Sequence, residues 1–451
     1  MGSLEKGKEG LTKFTDERLI QRRVAFHDPL LKQKAKTMNS LYDTDVLKDK
    51  KKSPVTADRD MFRRLLIAKD AGRDVNIDCL LESELSEKPL SLTTSDGRLR
   101  KANKSQLIEI LAHDVIQKDL LVTPDLNTCT IIDGMALVQA LGKPAGLRTF
   151  GELADSFIDT VKSHGNLSDR IDVLFDWYEE RSIKEGTRVI RSGGVKTVRM
   201  IISNRDVKLP DNWKSVIGLD ANKANLASFL SEELRKDGCF DRKQVIVSGG
   251  FQDSGKVASN VSCDLSPLSA NHEEADTRIV LHAADATRRG YERMIVCCKD
   301  TDVLLLLCVF CNYLRKEMWM KAGTKKRPKM IRIHDIRLDE DIRQGLLAFH
   351  ALTGCDTTSQ FAGITKKSAW KVFVTAPHLM HTLGRDKTPG PRYLLQWKHL
   401  CANYMMGHQR HQPQSSMYAA HSFANAKRTW TFCHRLRMHL CNICKGPTTR
   451  R

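Results

Sequence analysis

Four carboxylates crowd two short stretches of the chain. Glu274 and Asp276 lie in Asn271-His-Glu-Glu-Ala-Asp-Thr-Arg278, and Asp300 and Asp302 follow the apolar run Arg293-Met-Ile-Val-Cys-Cys298. Like charges packed beside core-forming segments repel one another and converge only where something offsets them. A divalent cation would do so, and carboxylate oxygens suit Mg²⁺ or Mn²⁺ better than zinc. Each acid also has a purely structural use. Glu274, three after Asn271, could complete a capping box, and Asp276 would favour the positive end of a helix. Asp302 and Asp356 could be N-caps, and Asp133 could start a turn with Gly134.

The elements that must position these acids follow from hydrophobic pattern. Short apolar runs at Cys129–Ile132, Arg170–Phe175, Gln244–Val247 and Arg293–Cys298 read as strands, and the segment from Glu273 to Arg289, stopped by Gly290, reads as a helix. Asn222–Lys236 and Asp341–Leu352 are further helices, and Met318–Lys321 with Met330–Ile333 is a β-hairpin joined by basic Lys325-Lys-Arg-Pro-Lys329. Strands alternating with helices indicate an α/β fold, a parallel sheet flanked by helices. In such a sheet the carboxyl ends of the strands share one edge, where sites are built. Asp133, Asp176, Asp300 and Asp302 all follow strands, so they and Glu274, Asp276 and Asp356 can converge there. Two metal ions so held would activate water and stabilise a leaving oxygen in phosphodiester hydrolysis.

Around this core (126–335, with a basic segment at 177–215) the chain divides by texture. Residues 1–55 are a polar, Lys-rich arm expected to be flexible. Residues 56–125 form a helical platform with runs at Asp58–Ala71 and Ser105–Leu121. Residues 336–400 are helical, and 401–451 are an irregular tail rich in His and Cys. The 73 Lys and Arg residues outnumber 54 Asp and Glu, for a net charge of +19 in 451 residues, which favours nucleic acid as partner ahead of a membrane surface. Thirteen cysteines in no regular framework suggest reduced thiols in the nucleus or cytoplasm. The amino terminus has no apolar signal segment, and the run Val303–Phe310 is too short to span a bilayer.

The order of the acidic motifs resembles the flap endonuclease group of 5′-nucleases within the PIN-domain superfamily, over about residues 128–375. Ile131-Ile-Asp133-Gly134 is similar to its first strand-end aspartate, and Val173-Leu-Phe-Asp176 to the aspartate before its basic arch. Glu274-Ala-Asp276 resembles its acidic helix motif, Asp300-Thr-Asp302 its paired aspartates, and Gly354-Cys-Asp356 with Gly363-Ile364 its final aspartate and following turn. The resemblance implies that Asp133, Asp176, Glu274, Asp276, Asp300, Asp302 and Asp356 bind two Mg²⁺ or Mn²⁺ ions. It also implies that Lys184 and Arg191 act as arch cations on the scissile phosphate, with Arg188 and Lys196 beside them on nucleic acid. Gly363, Ile364, Lys366 and Lys367 would then grip a duplex backbone without reading bases. The implied protein is a nuclease in the nucleus, acting on DNA rather than RNA. A catalytically silent nucleic-acid-binding or scaffold protein of the same fold is the alternative.

Two other motifs fall short. Gly250-Phe-Gln-Asp-Ser-Gly255-Lys256 lacks the hydroxyl residue that a phosphate-binding loop needs after its lysine. Cys433, His434, His439, Cys441 and Cys444 match no common zinc spacing.

Overall fold

The computed structural model describes residues 3–28, 67–68, 70–73, 92–94, 97–117, 126–178, 198–236, 238, 240, 242–314, 317–324 and 327–381. The chain separates into two units, Met1–Val75 and Asn76–Arg451. In the first, helix α1 (Ser3–Phe14) continues as a π-helical turn, Thr15–Ile20. The side chain of Arg18 closes this turn by donating to the carbonyls of Ala25, Phe26 and Asp28. Residues 3–20 of the expected flexible arm are therefore helical.

The second unit is built on one eight-stranded sheet. Its strands are β1 (Ile116–Gln117), β2 (Thr128–Asp133), β3 (Arg170–Leu174), β4 (Gln244–Ser248), β5 (Val257–Ser259), β6 (Arg293–Cys297), β7 (Glu317–Thr324) and β8 (Arg327–Arg332). They lie in the order β1-β8-β7-β6-β2-β3-β4-β5. The five central strands, β7-β6-β2-β3-β4, are parallel, while β8, β1 and β5 are added at the two edges through antiparallel pairings. The α/β expectation is met, with a mixed rather than wholly parallel sheet. The near-P-loop residues 249–256 turn from β4 into β5, so no helix follows to present a phosphate site.

Alternation along the central strands sends side chains into two cores. Cys129, Ile131, Met294 and Val296 face one; Ile132, Ile171, Val173, Val245 and Val247 face the other. The first is covered by α2 (Ser105–Leu111), α7 (Ala275–Arg288), α8 (Thr301–Leu314), α9 (Glu340–Leu352) and α10 (Lys366–Phe373), which contribute Leu107, Ile279, Leu304, Phe349 and Phe373. The second is covered by α3 (Gly134–Leu141), α4 (Phe150–His164) and α6 (Asp220–Leu234), with α5 (Trp213–Ile217) beside them. Both faces being buried explains why the strands read as almost unbroken apolar runs.

One element differs in type from its sequence pattern. The helix expected over Ser105–Leu121 ends at Leu111, and the chain turns so that Ile116 and Gln117 pair with Ile331 and Met330 at the sheet edge. The backbone groups of that edge are thereby satisfied by the chain itself.

Candidate metal centre at the strand ends

Strand β2 lies between β3 and β6 and is parallel to both. Asp133 is level with Leu174 of β3, two residues before Asp176, and Ile132 is level with Cys297 of β6, three residues before Asp300. The carboxyl ends of three adjacent strands thus place their aspartates on one rim, at the point where the strand order departs in both directions from β2. Helix α7 adds Asp276 in its first turn, and α8 adds Asp302 in its own.

Ligand-capable atoms of Asp133, Asp276 and Cys298 all lie within 4.8 Å of one another, as do those of Asp276, Asp300 and Asp302. Asp276 belongs to both groups. The donors are mainly hard oxygens, and their spacing fits a divalent cation bound by carboxylates. Burial, then the neighbouring charge of Asp176, pushes the Asp133 carboxyl up to about 6. A bound cation would offset both the loss of solvent and the neighbouring charge. Burial also pushes the Cys298 thiol up, leaving it a neutral neighbour 3.6 Å from Asp133 Oδ2.

The remaining expected ligands have different places. Asp176 Oδ1 accepts from the backbone N–H of Ala275 at 2.9 Å, so its carboxylate closes the amino end of α7 from another strand. Glu274 occupies the N-cap position of α7 rather than the third position a capping box requires, and its side chain makes no capping bond. It lies in neither group of metal-spaced donors. Arg278 fastens the loop before α7 by donating to Ser248 Oγ at 3.0 Å and to the carbonyls of Ser254 and His272 at 2.9 and 2.5 Å. Gly249 lets the chain pass β3: its φ is +85°, and a Cβ there would sit 1.9 Å from the carbonyl oxygen of Phe175.

Asp356 joins the rim through a residue that sequence reading left out. Lys104, at the amino end of α2, brings Nζ to 2.8 Å from Asp302 Oδ2, 2.7 Å from Asp356 Oδ1 and 3.7 Å from Asp300 Oδ1. Burial alone would lower the pKa of this ammonium, but Asp302, Asp300 and Asp356 together outweigh burial and raise it. The other oxygen of Asp302 meets His350 Nε2 at 2.9 Å, and His350 Nδ1 lies 3.3 Å from Lys366 Nζ. A neutral imidazole with its proton on Nε2 satisfies both contacts, because burial and the Lys366 charge lower the His350 pKa. Burial opposes ionisation of Asp302, yet His350 and Lys104 hold its carboxyl well below the ordinary range.

Lys366 is accordingly a correction to the sequence reading. Its Nζ points inward, donating to Thr353 Oγ1 at 2.8 Å and to the His350 carbonyl at 3.2 Å, and burial lowers its pKa to about 7. It supports His350 and is not presented to a phosphate. Lys367 is exposed and pairs with Glu109 at 2.6 Å. Gly363 has φ +76° in the turn before α10, and Ile364 is buried in the core beneath it. Lys184, Arg188, Arg191 and Lys196 lie outside the described residues, as do the tail cysteines and histidines. Lys104 and His350 stand 198 and 48 residues from Asp302, so no local motif links them to it.

No protein-family model and no curated protein matches this chain. Among solved structures, it is similar to a bacteriophage T5 flap endonuclease in a pseudo-enzyme–product complex with DNA and metal ions. That likeness has 13% identity over 69% of this chain and 100% of that chain, with a TM-score of 0.35. The same phage protein crystallised with metal ions gives 15% identity, 71% and 97% coverage and 0.35. The T5 5′-exonuclease with bound zinc gives 12%, 69% and 99%, and 0.34. At these scores the likeness assigns no property to this chain. No described helix is long and apolar enough to cross a membrane.

Proposed function

We propose that this protein is a divalent-metal-dependent nuclease that hydrolyses phosphodiester bonds in nucleic acid, with DNA the favoured substrate. The observation that carries the proposal is the pair of metal-spaced groups, Asp133–Asp276–Cys298 and Asp276–Asp300–Asp302, at the carboxyl ends of adjacent parallel strands. When bound, a Mg²⁺ or Mn²⁺ ion supplies Lewis-acid activation of water and of phosphate oxygens. The chain's own residues provide the frame. Asp133 and Asp276 would hold the ion, Asp302 is held in orientation by His350, and Asp176 fixes the amino end of the helix that carries Asp276. The net charge of +19 supports association with a polyanion. Lys184, Arg188, Arg191 and Lys196 are proposed to contact phosphates, and the turn at Gly363–Ile364 with Lys367 to meet the backbone of a duplex.

The test is cleavage of flap, duplex and single-stranded DNA, and of matched RNA, with Mg²⁺, Mn²⁺ or EDTA. Metal-dependent cleavage that disappears in the Asp300→Ala/Asp302→Ala double variant is the expected result. Cleavage unaffected by that double substitution, or by EDTA, would exclude this site as its origin. One observation favours a second reading, a binding protein without catalysis: Lys104 already neutralises part of the acidic rim. Salt-dependent DNA binding without cleavage under any of these conditions would establish it.

A further inference from the structure

The two groups of metal-spaced donors share Asp276 but differ in kind. Asp276, Asp300 and Asp302 offer oxygen alone, whereas Asp133 and Asp276 stand with the sulfur of Cys298. Oxygen donors suit hard ions such as Mg²⁺ and Mn²⁺, and a thiolate favours Zn²⁺ or Cd²⁺. Cys298 also has a bland use, since a free cysteine packs like a small apolar side chain. What surrounds its sulfur separates the two roles.

Cys298 directly follows β6, and strand alternation divides it from its neighbour. Cys297 packs against the core that α3 and α4 cover, while Cys298 is buried on the opposite face with Met294 and Val296. That orientation brings Sγ to 3.6 Å from Asp133 Oδ2, at the end of β2. Sγ also accepts the backbone N–H of Asp300 at 3.4 Å, a donor that favours negative charge on sulfur. A cysteine that only fills the core needs neither a carboxylate nor a backbone N–H at its sulfur.

Resting on the metal-centre reading above, we infer that Cys298 is a metal ligand, and that the Asp133–Asp276–Cys298 group selects a thiophilic divalent cation of the zinc and cadmium class. The all-oxygen group, Asp276–Asp300–Asp302, takes the hard ions. A cation binding at Cys298 replaces the S–H bond with a sulfur–metal bond, and the displaced proton leaves to solvent. Mg²⁺ and Mn²⁺ gain little from sulfur and bind through carboxylates, leaving the thiol intact.

The experiment reads the sulfur–metal bond rather than turnover. Full-length reduced protein, stripped with EDTA and freed of the chelator, is titrated with Cd²⁺ alone while the ultraviolet thiolate-to-cadmium charge-transfer band is recorded. Mn²⁺ binding is followed separately by electron paramagnetic resonance. The chain has 13 cysteines, so the readout is a difference between variants that keep their near-ultraviolet circular dichroism. Cys298→Ser is expected to lose one thiolate's share of the band and to bind Mn²⁺ as the wild-type chain does. Asp133→Asn/Asp276→Asn, which keeps every cysteine, is expected to lose the same share. A band of wild-type intensity in either variant would overturn the inference. So would an equal loss of Mn²⁺ and Cd²⁺ binding in Cys298→Ser, which would mark the residue as structural. Mn²⁺ bound with no Cys298-dependent band would sink the inference and leave the metal-centre reading standing, whereas neither ion bound at the rim would remove both. Cd²⁺ held by Cys298 without cleavage in any metal would sink the nuclease proposal alone.

Discussion

Helix α7 runs past two collections of charge that solve opposite problems. In the interior, Asp172 receives Nε and Nη2 of Arg170 at 2.8 and 2.7 Å and lies 2.7 Å from His282 Nδ1. Asp285 receives Arg170 Nη1 and Arg289 Nε, both at 2.8 Å. Two carboxylates meet the guanidiniums of Arg170, Arg288 and Arg289 there, and Arg170, Asp172 and His282 are fully shielded from solvent. At the rim, the ammonium of Lys104 meets Asp300, Asp302 and Asp356, while Asp133 and Asp276 lie at metal-ligand spacing with Cys298. A dry, paired network of this kind serves the fold. Acids gathered at metal-ligand spacing on a sheet edge offer hard oxygens to a cation. Counting acids in the sequence does not separate these cases, whereas their burial and mutual spacing do.

Breaking the interior network should have the largest effect. Asp172→Ala leaves the buried Arg170 guanidinium with Asp285 as its one remaining carboxylate, and a loss of about 3–5 kcal/mol is expected in urea unfolding, with or without Mn²⁺. Stability within 1 kcal/mol of wild type, taken as roughly the limit for an unimportant position, would show that this network is not what holds β3 to α7.

At the rim the same kind of substitution should act on binding instead. His350→Ala removes the group that orients Asp302, and an approximately 10–100-fold weaker Mn²⁺ affinity is expected, read by calorimetry on protein that keeps its near-ultraviolet circular dichroism. Unchanged affinity would mean that Lys104 alone fixes Asp302.

The smallest effect sharpens the contrast through pH. The folded Asp133 carboxyl, pushed up by burial and then by Asp176, titrates at about 6, above the unfolded value. The folded state therefore holds this proton more tightly. The stabilisation is present at the unfolded pKa and below, and is lost as pH rises through about 6. Metal-free protein should lose roughly 1 kcal/mol across that window after allowance for solvent screening at the rim. Asp133→Asn should flatten the profile in EDTA and remove the stabilisation that Mn²⁺ gives wild type above pH 6. Identical thermal-melt profiles for the two proteins from pH 5 to 8 would count against a strained carboxylate at this position.

The parallel core was legible because β2, β3, β4 and β6 are short apolar runs, and the ends or following turns of β2, β3 and β6 carry acids. Helix α4 is not among the elements expected from the sequence, although Phe150, Leu153, Ala154, Phe157 and Val161 repeat at helical spacing, and Thr149 accepts from Glu152 N–H as an N-cap. Strands β1 and β5, two and three residues long, have too few side chains to show a period and are set by their neighbours. The candidate site was legible as a set of acids. Their partners were not, because Lys104 and His350 reach Asp302 through tertiary packing, which leaves no trace in local spacing. Lys366 was read by motif position, and only the fold reveals which way its side chain turns.

The central place of β2 also has a consequence for how the molecule is made. Asp133 and Cys298 meet across 165 residues of chain. At ribosomal rates of about 5–20 residues per second, β2 waits roughly 10–30 seconds for its second neighbour to be synthesised. Throughout that interval an apolar strand edge stands open where β6 will pair, a natural place for a chaperone to hold. The rim of acids comes into being only when that vigil ends, so no fragment released early from synthesis carries a complete centre.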